Sequence, residues 1–114
     1  MLTKVLCRNP TPGKKPTRID RAKFERLRRA ILACVPRSTP GVEFQKLPSR
    51  VRARLTPGER SSIGSISWYV TFVKLELEVR GELRRIAGSQ PQRLVRGSAR
   101  TGTMSRAKRR RGPR

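Results

Sequence analysis

All five aromatic side chains of the sequence, Phe24, Phe44, Trp68, Tyr69 and Phe72, fall between positions 24 and 72. A core must be organised around that stretch. Outside it, cations dominate: of 114 residues, 29 are Lys or Arg against 7 Asp or Glu, a formal charge of +22, and only 34% are hydrophobic. A chain of this kind cannot bury enough apolar surface to offset the ordering entropy of every residue. One domain with unfolded basic extensions is therefore expected.

The composition divides the chain in three. Residues 1–18 carry Pro10, Pro12, Gly13 and Pro16 among Lys14, Lys15 and Arg18, which breaks helices and predicts an extended basic arm, with Lys4 to Cys7 as a short strand within it. Residues 97–114 hold seven cations, no acid and no aromatic, and predict a disordered basic tail ending in Lys108, Arg109, Arg110 and Arg111. The remainder, 19–96, keeps 17 Lys and Arg and all seven acids, so even the expected domain is strongly basic at +10.

Within 19–96 the apolar spacing predicts three helices and a hairpin. Asp20 is placed to cap a first helix whose Phe24, Leu27, Ile31, Cys34 and Val35 share one face before Pro36 stops it. Val42 and Glu43 suit a short strand. Leu47, Val51 and Leu55 mark a second helix with Pro48 in its first turn, closed by Thr56-Pro57-Gly58. Ser65 to Arg80 alternates over its second half as a strand would, but its length and Gly81 at the C-cap position favour a helix. On that helix Ile66, Tyr69, Val70, Val73 and Leu77 form one apolar stripe, and Trp68, Phe72, Leu75 and Val79 a second. A narrow polar strip of Ser67, Thr71, Lys74 and Glu78 runs between them. Trp68 is expected in the core; exposed, it would anchor a protein interface. After Gly81 a hairpin runs from Glu82 to Ile86 and from Gln92 to Val95.

Helix, strand, helix, helix, hairpin is the order of a winged helix-turn-helix, an α+β fold of three helices with a C-terminal β-hairpin wing. Three segments add a resemblance: Arg18 to Phe24, Trp68 to Gly81, and Gln90 to Leu94. They are similar to the landmarks of a family of small bacterial proteins of unknown function, taken to be winged-helix, over about positions 4 to 96. The tryptophan-to-glycine segment is its most specific part. The resemblance implies the fold; it brings no active site, cofactor or target.

Chemistry is not expected. The sequence has no histidine, its cysteines at 7 and 34 form no paired motif, and nucleotide-loop and nucleophile-elbow patterns are missing. No cofactor or metal is called for, and no apolar run suits a membrane or signal segment, which predicts a soluble cytoplasmic protein. Duplex DNA, with about one charge per 1.7 Å of axis, is the partner that a +10 domain with cationic ends predicts. The helix from Ser65 to Arg80 would then enter the major groove, with Ser67, Thr71 and Lys74 toward base edges. Ser65, and Ser61 and Ser62 ahead of it, would hold a phosphate. Arg50, Arg54, Arg84, Arg85 and Arg93, with the tail cations 108–111, would hold the backbone. The function expected is a small transcriptional regulator or nucleoid-like binder. The alternatives are a protein-interaction winged helix, as a homodimer or with another chain, and an RNA- or ribosome-associated basic protein.

Overall fold

The computed structural model describes residues 3–97, and it opens with two paired strands where an extended arm was expected. Strand β1 (Lys4–Cys7) runs antiparallel to β2 (Thr17–Asp20), with Val5 opposite Ile19 and Cys7 opposite Thr17. Alternation decides which side chains turn inward: Val5, Cys7 and Ile19 are buried, whereas Lys4 and Leu6 face outward. The prolines that suggested an arm lie between the strands, where no ladder donor is required of them.

Helix α1 (Arg21–Cys34) follows directly and buries Phe24, Leu27, Ala30 and Ile31. Asp20 stands at its N-cap, but its carboxylate makes no capping hydrogen bond. The residue is still part of β2, and the Arg21 N–H donates to the Thr3 carbonyl at 2.8 Å instead. Beyond the turn come β3 (Val42–Glu43), a single 3-10 turn (Phe44–Lys46) and helix α2 (Leu47–Ala53), which has Pro48 in its first turn as its missing donor demands. Gly41, just before β3, has φ +72, and a Cβ there would collide with the Leu94 carbonyl.

Thr56-Pro57-Gly58 does more than close α2. It starts a fourth helix, α3 (Pro57–Ile63), through a capping box: the Thr56 hydroxyl accepts from the Glu59 N–H at 3.1 Å, and the Glu59 carboxylate accepts from the Thr56 N–H at 2.8 Å. Helix α4 (Ile66–Arg80) then crosses the centre and ends at Gly81 in the left-handed conformation, φ 80, with the Glu82 N–H closing onto the Leu77 carbonyl. Strands β4 (Leu83–Arg85) and β5 (Arg93–Arg96) complete the chain.

The architecture is α+β: four helices and two small antiparallel sheets, where three helices and a lone hairpin were expected. The second sheet has the order β3-β5-β4, with Val42 opposite Leu94 and Arg84 opposite Val95. The core lies where α1, α2 and α4 meet and is floored by that sheet. Phe24, Leu27, Ile31, Leu47, Val51, Val70, Val73, Leu77 and Leu94 are wholly enclosed, each contributing about 1.5–3 kcal/mol through burial. No described helix is long and apolar enough to cross a membrane.

Candidate nucleic-acid interface

The carboxylates show which cations are committed inside the protein. Every glutamate is engaged: Glu25 with Arg21 and Arg28, Glu43 with Lys46 and Arg93, Glu59 with Arg26, Glu76 with Arg8 and Arg80, Glu78 with Lys74 and Arg85, and Glu82 with Arg28. Among the described residues this leaves Arg29, Arg37, Arg50, Arg52, Arg54 and Arg84 exposed and without a carboxylate partner. Lys4, Lys14, Lys15 and Arg18 on the N-terminal hairpin share that condition.

Most of those arginines gather where α1 packs beside α2. Arg50 on α2 and Arg54 at its C-cap are four residues apart, about 6 Å along the axis. Two shallow depressions run along the seam. One, of about 390 Å³, is bordered by Arg37, Arg50 and Arg96; the other, of about 220 Å³, by Arg26, Arg29 and Arg54 together with Glu59. Ala33 lines both. Arg96 is fixed in place, its Nε donating to the Leu32 carbonyl at 2.8 Å and the Val35 carbonyl at 3.1 Å, the free acceptors at the end of α1. The Glu59 carboxyl lies below the usual carboxylate range, held there by the hydrogen bond from the Thr56 N–H and by Arg26.

The polar strip of α4 is a correction to the sequence reading. Lys74 is only 2% exposed. Its Nζ lies 2.6 Å from Glu78 and 4.4 Å from the centre of the Phe44 ring, so this ammonium is spent within the fold and does not reach a groove. Burial lowers its pKa, against the raising effect of Glu78. The Thr71 hydroxyl donates to the Ser67 carbonyl one turn back, at 2.9 Å. Ser65 and Ser67 are exposed at the start of the helix. Ser61 and Ser62 lie in the last turn of α3, at its carbonyl end, not in front of α4. Trp68, expected in the core, is 45% exposed.

On the C-terminal hairpin Arg84 is free, whereas Arg85 pairs with Glu78 at 2.6 Å and Arg93 with Glu43 at 3.1 Å. Lys108, Arg109, Arg110 and Arg111 lie outside the described residues. Arg29 and Arg37 join Arg50 and Arg54 without having been singled out. Arg29 lies on α1 and Arg37 beyond its end, past Pro36, so no single helical spacing announces them.

Residues 4–94 match a family of unknown function, DUF6958, and the chain belongs to that family. No curated protein and no solved structure matches it.

Proposed function

We propose that this protein is a winged-helix DNA-binding protein of the bacterial cytoplasm that grips duplex DNA by its phosphates. The order α1, β3, α2, α4, β4, β5 supports the winged-helix reading, as does β3 joining the β5-β4 hairpin to make a three-stranded antiparallel sheet. On this reading the N-terminal hairpin and α3 are additions. One observation carries the function: Arg29, Arg37, Arg50 and Arg54 are exposed along the α1–α2 seam without a carboxylate in ion-pair contact, and the one glutamate lining the seam, Glu59, is paired with Arg26. Guanidinium groups match phosphate geometry and release condensed counterions when they neutralise it. With the Lys74 side chain buried, base readout by α4 rests on Ser65, Ser67 and Thr71 alone. That favours a nucleoid-like binder over a sequence-specific regulator.

The test is the salt dependence of duplex binding by the full chain, compared with the double variant Arg50→Glu/Arg54→Glu. Each lost phosphate contact should reduce the slope of log affinity against log salt by about 0.9, and equally on unrelated sequences. An unchanged slope, or structured RNA competing better than duplex DNA, refutes the reading.

A further inference from the structure

Resting on the DNA-binding reading, we propose a second nucleic-acid contact: Trp68, whose ring packs on the Tyr69 ring that Lys23 covers, is a stacking platform for an unpaired base of a DNA strand. Among the described residues the large hydrophobic side chains left in solvent are Trp68, at 45%, and Leu6, at 47%. Leu6 lies on the outer face of β1 between Lys4 and Arg18. Trp68 is different, because its neighbours hold its ring.

The Tyr69 ring meets that of Trp68 edge-on, with centroids 4.9 Å apart and planes at 81°, and the Phe72 ring packs at 4.5 Å and 47°. Two aromatic neighbours restrain the indole while nearly half of its surface stays open. A stacking surface needs such restraint, since an already ordered ring loses little entropy when a base lies on it.

The chemistry around the ring selects the occupant. Ser65 and Ser67, just ahead of Trp68 in the chain, are exposed, and no carboxylate occurs on α4 before Glu76, which is buried. Lys23 reaches over from α1: its Nζ is 4.9 Å from the Tyr69 ring centre and 3.4 Å from the Tyr69 hydroxyl. A protein partner anchored by Trp68 would want a broad apolar surround, but Phe72, Leu75 and Val79 are already half-covered. A second copy of a chain at +22 would be repelled. Hydroxyls, an ammonium and a flat ring suit a polyanion that carries π faces.

The position also fits a strand. The α1 cations Lys23, Arg26 and Arg29 lie within about 9 Å of helix, and Arg26 and Arg29 border one of the depressions. A strand with a phosphate at Lys23 would have a base within reach of Trp68 through their shared neighbour Tyr69.

Trp68 is the sequence's single tryptophan, so its own fluorescence reports the contact. Adding oligo-dT to the full protein should quench it. Trp68→Ala should weaken oligo-dT binding by about 5- to 100-fold and leave duplex binding unchanged, whereas Trp68→Phe should retain most of the affinity. With the natural protein, an abasic oligonucleotide of equal length should bind as weakly as oligo-dT binds to Trp68→Ala. No quenching, equal affinity for the abasic strand, or tighter binding of oligo-rU overturns the proposal. Those results differ from failure of the duplex reading, which appears as an unchanged salt slope in Arg50→Glu/Arg54→Glu.

Discussion

Glu76 on α4 holds Arg8, 68 positions earlier, at three points. Oε1 accepts from the Arg8 main-chain N–H at 2.8 Å and from its Nε at 3.0 Å, and Oε2 accepts from Nη2 at 2.7 Å. Arg80 adds a fourth bond at 2.8 Å. Glu76 is 1% exposed, so the N-terminal hairpin is clasped to the central helix through a buried charge.

Glu76→Gln should lower unfolding free energy by about 2 kcal/mol, measured by chemical denaturation, since it replaces charge-assisted bonds with neutral ones. The pH dependence has a definite sign. Burial pushes the Glu76 carboxyl up, but the bonds from Arg8 and Arg80 outweigh it and hold the group below its ordinary value of 4.5. A folded-state pKa below the unfolded one gives stability that is present above pH 4.5 and lost as pH falls through the native value. The acid limb of the stability profile should be flatter in Glu76→Gln.

Removing residues 1–18 should destabilise the domain rather than trim it. It takes Val5 and Cys7 from the core as well as the Arg8 clasp, and full burial of a valine alone contributes about 1.5–3 kcal/mol. Thermal unfolding of chain 19–114 beside the full chain measures this; equal midpoints would show that the hairpin contributes nothing to the core's stability.

Lys74→Ala should weaken the fold by about 2–3 kcal/mol, because it opens a cavity and takes from Glu78 one of its two cationic partners. Lys74→Met should cost less, since it keeps the aliphatic volume. Neither should change discrimination between DNA sequences in a competition assay. A loss of sequence preference with stability intact would return Lys74 to the groove.

Cys7 should react slowly with alkylating reagents in the native protein. Burial first, and then the nearby Glu76 charge, push its thiol up to about 11, leaving little thiolate near neutrality. Cys34, half-buried at the end of α1, should be modified first when peptides are mapped at short labelling times.

The elements with a strong helical period were legible. Phe24 to Val35 and Ile66 to Leu77 carry enough apolar residues to declare α1 and α4, and Gly81 ends α4 where the sequence predicts. Two elements were hidden by composition. Prolines between Cys7 and Thr17 masked a hairpin, and the seven residues of α3 are too few to show a period, although the Thr56 and Glu59 spacing was its signal. Lys74 failed for another reason. Phe44, 30 positions earlier, closes over it, and no local pattern says which distant side chain will cover a polar strip. The exposure of Arg50 and Arg54 follows from helical spacing, which turns them away from Leu47 and Val51. Arg29 and Arg37 join them only through the packing of α1 against α2.

The cations bordering the two depressions, at positions 26, 29, 37, 50, 54 and 96, are all arginine, and the sequence contains no histidine. Guanidinium groups stay protonated across every pH a cell reaches. The charge of this seam is therefore a constant of the molecule, as fixed as that of a phosphodiester. Acidification cannot load or unload it. Any polyanion held there would be released by salt and not by acid.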